Sequence, residues 1–516
     1  MACRAHLSRH IHGALRKEKY YLPNFNGEEF LVNDPSTGEI LSTVKSASTE
    51  DVNFAIADAD TAFRSGVWSR LPPIARSKVL SNLARILEER IPDLAVIETR
   101  QTGRTIHEMK AQLGRLPEWL DYFAALLRTT QAFVAPTQGS LLNYVQRVPL
   151  GVVAQITPFN HPLLIAVKKM APALAAGNSV IVKPSELAPL TVLEFAGMAK
   201  EAGVPPGVLH ILPGYGPGTG IEIVKHPLIR KVDVTASTQT GRAIGSVVGS
   251  NIVAYTAELG GKAPIIIFSD ADLVAAVNGT AFASFIASGQ TCVSGARILI
   301  QDRIYDKFLA RFLEKVDTIR RGMGNPLNPK SSMGTVISSH HLQRMEGMVK
   351  RTNGTILRGG EPMSGTSDLD GFDFSKGSFF PPTVITNISV EDELWKEEIF
   401  GPVVVIKRFS DEAEGICLAN HCKYGLGAGI WTSDLSRAHR VAAEIEAGIC
   451  WVNTHHRNDP SSPWGGMKGS GIGRENGIES LESYSQSKSI IINTARAEVS
   501  REMDDWFGST EGRRYG

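Results

Sequence analysis

Between residues 151 and 257 the chain alternates short apolar runs with longer amphipathic ones. Val152 to Ile156, Ser179 to Lys183, Val208 to Leu212, Lys231 to Thr235 and Ile252 to Thr256 are rich in β-branched residues and read as strands. Helix-length stretches near 163 to 176, 188 to 202, 217 to 226 and 239 to 249 separate them. Strands joined through helices are βαβ crossovers, so this region predicts a mostly parallel sheet covered on both faces, with its ligand edge at the carboxyl ends of the strands. No G-x-G-x-x-G loop follows any of these strands. Upstream, helices are expected over about 50 to 64, after the cap Ser48, and over about 74 to 101. Downstream, Pro264 to Phe268, a helix around 271 to 287 and Arg297 to Gln301 begin a second α/β unit, and the Gly- and Ser-rich segment 353 to 378 reads as surface loop.

Composition narrows the function classes. The 54 Lys and Arg nearly cancel the 53 Asp and Glu of this 516-residue chain, which argues against a nucleic-acid or anionic-membrane partner and for a small molecule. Five cysteines, Cys3, Cys292, Cys417, Cys422 and Cys450, are few and odd in number, as expected of a reducing compartment. No apolar run is long enough for a bilayer. These features predict an intracellular, cytoplasmic protein. The start, where Arg4, Arg9, Arg16 and Lys17 precede the first acid, leaves a mitochondrial transit peptide as the alternative to a solvated arm. No metal site is expected.

The chemistry-bearing candidates are scattered. Cys292 lies between Gly289 and Gly295, where small residues let a ligand approach the thiol, whereas Cys417, Cys422 and Cys450 read as core packing. Glu258 ends the last predicted strand region and is a candidate base, against the alternative of a cap or surface charge. Asn160, in a Pro-bracketed turn, could donate to an oxyanion, although an Asn in a turn needs no functional reason. Lys183 and Glu186 follow the second strand, where an ammonium and a carboxylate could meet ribose hydroxyls.

Asn160, the Lys183 to Glu186 turn, Ala236-Ser237-Thr238, Glu258, Cys292, Glu398-Ile399-Phe400-Gly401-Pro402 and Pro463-Trp464-Gly465-Gly466 stand in the order and spacing of the aldehyde dehydrogenase superfamily, which the chain resembles from about residue 22 to 492. The resemblance implies a Rossmann-like cofactor domain (1–128 and 150–258), a second α/β catalytic domain (259–478), a small β oligomerisation element (129–149 and 479–500) and a polar tail (501–516). It implies oxidation of an aldehyde to the acid: Cys292 attacks, Asn160 and the Cys292 N–H hold the oxyanion, and Glu258 activates the water that hydrolyses the thioester. The cofactor would be met by Ile156, Pro158, Lys183, Glu186, Ser237, Glu398 and Phe400. A carboxylate at Glu186 favours NAD over NADP. Lys169 and Glu475 are implied as a supporting buried ion pair, and a dimer or tetramer is implied through the shared β element.

Two positions depart from the family pattern. Ala236 replaces a usual Gly and adds a methyl near the pyrophosphate; Phe159 replaces a usual Trp. Around the tunnel the resemblance places Arg115, His161, Ile165, Lys168, Thr291, Val293, His455, His456, Arg457 and Asn458. This polar, cationic set points to an aldehyde carrying a carboxylate, a semialdehyde, unless Lys168 and Arg457 turn to solvent. A general aromatic or aliphatic aldehyde, release of the acyl group to coenzyme A, an enzyme damaged at Ala236 and a non-catalytic, crystallin-like role on the same fold remain the competing readings.

Overall fold

The computed structural model describes residues 25–503 and 507. The transit-peptide expectation, Cys3 and most of the polar tail lie outside them.

The first sheet has the order Gly471–Ile472, Ala254–Glu258, Ile229–Thr235, Val152–Ile156, Ser179–Lys183, Leu209–Ile211. All neighbours are parallel except the outermost Gly471–Ile472, which runs against Ala254–Glu258. Their β-branched side chains explain the burial: Val152, Val153, Val180, Ile181, Val182, Val232 and Val234 are fully enclosed by helices on both faces. Register aligns Ile156 with Lys183 and Val234, and Thr235 with Glu258, so these residues form one carboxyl edge. The helix Thr49–Ser65 starts in a capping box between Ser48 and Asp51 and stops at Gly66 in the left-handed region, φ 82°. The helix Pro162–Ala175, with Pro at its first position, is buried along almost its whole length. The fully buried Glu98 accepts a hydrogen bond from the Leu163 N–H at that helix's start.

The second sheet has the order Thr355–Arg358, Thr383–Thr386, Val403–Phe409, Gly295–Gln301, Ala263–Ile267, Gly427–Trp431, Ile449–Val452. Only Thr355–Arg358 is antiparallel to its neighbour. Gly260 and Gly261 immediately precede Ala263, Cys292 precedes Gly295, and Glu398 to Phe400 precede Val403. The loops at the amino ends of this sheet therefore carry residues implicated by sequence, and they meet the carboxyl edge of the first sheet at Glu258. A third, three-stranded antiparallel sheet joins Phe133–Ala135, Leu141–Pro149 and Ser485–Asn493. Among the described residues no helix is long and apolar enough to cross a membrane.

Several local expectations need correction. Ile252 is 95% exposed with φ 53°, in the turn before the strand and not in it, because the strand begins only where side chains reach the sheet at Ala254. The stretch 217 to 226 is a π-turn, Gly216–Gly220, followed by a five-residue helix, Ile221–Lys225, since three glycines in five residues weaken a continuous helix. Segment 353 to 378 is not all loop, for Thr355–Arg358 supplies the edge of the second sheet. Cys417 is exposed on the helix Glu412–Asn420 and does not pack in the core; Cys422 and Cys450 are partly buried.

Candidate active site

Cys292 sits in the short link between Gln290 and the strand Gly295–Gln301, with the fully buried Val293 packed against Leu426 and Trp451. The approach to it is unusual backbone. Ala287, Ser288 and Gly289 all hold positive φ, 54°, 53° and 69°. Two of these are non-glycine residues in a region that costs energy, so the surrounding structure must hold them there. Glu108 accepts a hydrogen bond from the Ala287 N–H at 3.4 Å, and the Gln290 side chain bonds the Thr335 carbonyl at 3.3 Å and the Ile337 N–H at 2.9 Å. At Gly261 a Cβ would stand 2.0 Å from the Cys292 carbonyl oxygen, so glycine is required for the two loops to touch.

Asn160 is buried and its Nδ2 donates to the Gln290 carbonyl at 2.8 Å. A primary amide has two N–H bonds, so one remains for another acceptor. The Cys292 N–H donates to no acceptor among the described residues. Glu258 is 3% exposed, and neither carboxylate oxygen has a hydrogen-bond partner in the described structure. Burial and then the Glu475 charge raise its proton affinity well above the ordinary carboxylate range; Lys169 and Lys168 oppose this. Burial also pushes the Cys292 thiol up to about 12, helped by the charges of Glu398 and Glu258. A thiol and a carboxylate, each with raised proton affinity and the carboxylate bearing on the thiol, form a site suited to proton transfer.

Around these groups runs a buried ionic cluster. Lys169 joins Asp233 and, at 2.6 Å, Glu475 Oε1; Lys168 meets Glu475 Oε2 at 2.9 Å. Burial alone would raise Glu475, yet Lys168 and Lys169 bring it down to about 2. The Tyr484 hydroxyl donates to Asp233 at 2.6 Å, tying the first sheet to the strand that follows. Lys168 is thus no free tunnel cation: at 1% exposure its charge is met by Glu475.

The remaining tunnel candidates divide. Arg115 is half exposed, bonded to Glu118 at 2.8 Å and to the Asn458 carbonyl at 2.9 Å. Arg457 is exposed, and only its backbone carbonyl is engaged inward, by Trp451 Nε1. His161 is held by Arg104 at 2.7 Å and Gln112 at 3.0 Å. His456, at φ 57°, lies edge-on to Phe282 and bonds His455 through the Nδ1 atoms at 2.8 Å. Burial and then Arg104 hold His161 well below, and His456 down at about 3, so both imidazoles are neutral at neutral pH.

Arg104 was not singled out by the sequence. It is 3% exposed and reaches Glu108, Gln112, His161 and the Asn160 carbonyl, so it braces the carboxamide turn and, through Glu108, the Ala287 turn. A basic residue after Gly103 in a helix-ending turn gives no outward sign of this. Arg344 and His341 were likewise unseen. Arg344 donates to the Glu398 and Ile399 carbonyls and His341 to the Phe400 carbonyl, which pins the loop carrying Phe400 at φ 58°.

The residues that could hold a dinucleotide share one edge. Lys183, 3% exposed, points its Nζ to the Pro184 carbonyl and, at 3.4 Å, to Glu186, while the Gly216 and Gly218 positions of the neighbouring π-turn face open space. Ser237 caps the helix Thr238–Ser250, leaving a helix N-terminus toward the edge. Ala236 packs its methyl against the cluster of Val234, Ala257 and Leu259. Glu398 reaches over Gly260, where a Cβ would stand 2.5 Å from its Oε2, and accepts from the Gly261 N–H at 2.9 Å; burial lifts its pKa to about 7. Phe400 meets Phe159 edge-on at 5.7 Å, so the departure from Trp keeps a ring contact. Ile156 and Pro158 are partly exposed at the same edge. Among the described residues no cluster of three or more His, Cys, Asp or Glu could hold a metal.

Two parallel sheets, apposed carboxyl edge to amino edge over a thiol and an unpartnered carboxylate, define a dinucleotide-dependent oxidoreductase. The chain belongs to the aldehyde dehydrogenase family, whose model matches residues 23–490. It is 40% identical over 469 residues to phenylacetaldehyde dehydrogenase of Pseudomonas fluorescens, spanning 89% of this chain and 92% of that one. Betaine aldehyde dehydrogenase of Staphylococcus aureus in complex with NAD+ superposes with a TM-score of 0.89 at 36% identity, covering 93% of this chain and 94% of that one. The NAD+ complex of aldehyde dehydrogenase from Bacillus cereus gives 0.87 at 34% identity, over 91% and 94%. The protein is an enzyme that oxidises aldehydes with a nicotinamide dinucleotide.

Proposed function

We propose that Cys292 is the nucleophile, Asn160 and the Cys292 N–H the oxyanion donors, and Glu258 the hydrolytic base, with NAD the preferred cofactor and a neutral, ring-bearing aldehyde the preferred substrate. The observation that carries the chemistry is the buried Glu258, both oxygens unpartnered, bearing on the Cys292 thiol. Cys292 loses its S–H proton to solvent water and its Sγ bonds to the aldehyde carbon, whose C=O π electrons move onto oxygen; the second Asn160 N–H and the Cys292 N–H receive the oxygen that becomes negative. When bound, the dinucleotide supplies the hydride acceptor that turns this adduct into a thioester. Glu258 then takes a proton from water as its oxygen attacks the acyl carbon, and the thiol is regenerated as the acid leaves.

Residues Lys183 and Glu186 suit the adenosine ribose, Ser237 the pyrophosphate, Glu398 the nicotinamide ribose, and Phe400, Ile156 and Pro158 the walls around them. Glu186 accepts from hydroxyls but repels a phosphate, which supports NAD over NADP. Glu186→Gln is expected to narrow the ratio of kcat/KM for NAD over NADP by about tenfold, a change of about 1.4 kcal/mol in discrimination. An unchanged ratio would remove Glu186 from that role.

The substrate reading moves from the carboxylate-bearing semialdehyde toward a ring-bearing aldehyde because the expected cations are paired or turned away. Lys168 meets Glu475, Arg115 meets Glu118, and Arg457 is exposed. What remains are neutral His161 and His456 beside Phe282, with Trp464 set 5.9 Å from Trp451. The relative from P. fluorescens carries phenylacetaldehyde in its name. Nicotinamide reduction measured for phenylacetaldehyde and for a four-carbon semialdehyde, with Cys292→Ala as blank, tests this. At least about tenfold higher kcat/KM for the aromatic aldehyde is expected; the opposite order restores the carboxylate reading.

Self-association into a dimer or tetramer belongs to the same proposal. The three-stranded sheet leaves Phe133 and Val134 on one edge strand and Ile491 on the other 61%, 66% and 62% exposed, apolar side chains suited to contact with a second copy. No nucleic-acid or membrane partner is proposed, and a cytoplasmic location fits the sparse cysteines, the four described ones being free thiols.

A further inference from the structure

Lys168 and Lys169 are consecutive on the helix Pro162–Ala175, yet both ammonium groups end on Glu475. Adjacent helical residues diverge, so this convergence needs the Lys168 stem to fold back through the protein interior. Burying a second ammonium carries a desolvation cost, and Lys169 already bridges Glu475 to Asp233. The additional lysine does something Lys169 does not. Its Nζ lies 4.8 Å from the centre of the Trp464 ring, over its face. Trp464 and Glu475 are paired through two backbone hydrogen bonds of 2.7 Å, so Lys168 clasps both members of that bridge. The next residue is Gly465, where a Cβ would stand 2.9 Å from Glu258 Oε1 and 2.7 Å from Arg474 Cδ. The wall against which the Glu258 carboxylate rests is thus the segment that Lys168 secures.

We propose that Lys168 is a positioning residue for Glu258: it fixes the Trp464–Glu475 bridge against the base and neutralises the Glu475 oxygen that Lys169 leaves open. The inference rests on Glu258 as the base. The groups around Glu258 are Glu475 and Arg474 from the bridge, Lys168 and Lys169 from the helix, Asp233 from the neighbouring strand, and Cys292 across the cleft, with Lys231 and Tyr484 behind Asp233. Asp233 and Glu475 face Lys168, Lys169 and Lys231. Without Lys168 the Glu475 Oε2 loses its cationic partner and Glu258 loses one of the positive charges that hold its proton affinity down, so that affinity must rise.

The test is the pH profile of kcat under conditions where thioester hydrolysis limits turnover, on full-length enzyme. Lys168→Met is expected to move the acid limb up by about one pH unit, so turnover on that limb falls about tenfold. The alkaline plateau stays within about threefold of native, and Lys168→Arg restores the limb. Lys168→Gln keeps a hydrogen bond to Glu475 without the charge and carries the same expectation should the Met variant not fold. An unmoved limb, or an equal loss at every pH, overturns the inference. The two readings separate in Glu258→Gln: an acid limb that persists there overturns Glu258 as base, whereas a limb abolished there but unmoved in Lys168→Met and Lys168→Gln overturns only the role of Lys168.

Discussion

Replacing Cys292 with alanine is expected to lower aldehyde oxidation by about four to six orders of magnitude while leaving dinucleotide binding intact. The loss is of this size because the covalent route disappears, and orientation with oxyanion binding cannot replace it. Initial rates of nicotinamide reduction measure the first quantity; quenching of protein fluorescence on cofactor titration measures the second. A variant that kept even a hundredth of native turnover would remove Cys292 from the chemistry. The resting thiol adds a dependence on pH. Burial pushes it up to about 12, so at neutral pH the reactive thiolate is scarce. Alkylation of the cofactor-free protein by iodoacetamide at Cys292 should therefore quicken about tenfold for each pH unit from roughly pH 7 to 10. A plateau near pH 8 would mean the thiol is far more acidic than its surroundings imply. The exposed Cys417, alkylated in parallel and resolved by peptide mapping, gives the internal comparison.

Glu258→Gln is expected to separate the two halves of the reaction. Acylation should still yield close to one reduced nicotinamide per subunit in a first rapid phase, and steady turnover should then fall by about 10² to 10⁴. The amide fills the volume of the carboxylate but cannot accept the proton of the attacking water. Rapid mixing resolves the phases, and mass spectrometry of the quenched protein should find the acyl group on the peptide carrying Cys292. Undiminished steady turnover would mean another group activates the water; Glu398, whose pKa burial lifts to about 7, is the carboxylate to examine next.

The fold was legible where local chemistry and tertiary environment ask for the same thing. Val152–Ile156 and Ser179–Lys183 were placed to the residue because β-branched runs end there against Gly151 and Pro184, and burial on both faces keeps the runs largely apolar, with few polar positions to blur the pattern. The proposed catalytic trio came from motif spacing, which marks its residues without revealing their surroundings. Charge pairing was read only in part: the resemblance implied the Lys169–Glu475 pair that the structure contains, but not the second lysine on the same acid. Nothing near Lys168 announces that its counterion lies at Glu475, hundreds of positions onward, so a lysine among polar neighbours looked available to substrate. Arg104 escaped for the same reason: its partners Asn160 and His161 become neighbours only once a helix and a sheet have packed. Cys417 was misread because a small apolar residue on a short helix fits the inner or the outer face, and sequence supplies too few turns to decide.

The ladder between Leu141–Pro149 and Ser485–Asn493 pairs strands made more than three hundred residues apart. During synthesis the earlier strand must therefore emerge, and wait, with one edge bare until more than three hundred further residues have left the ribosome. Tyr484 extends that delay inward, because its hydroxyl completes the Asp233 end of the ionic cluster under the base. This late segment thus seals both the outer sheet and the buried charges, so a nascent chain halted shortly before it would hold its parallel sheets already built around an unfinished centre.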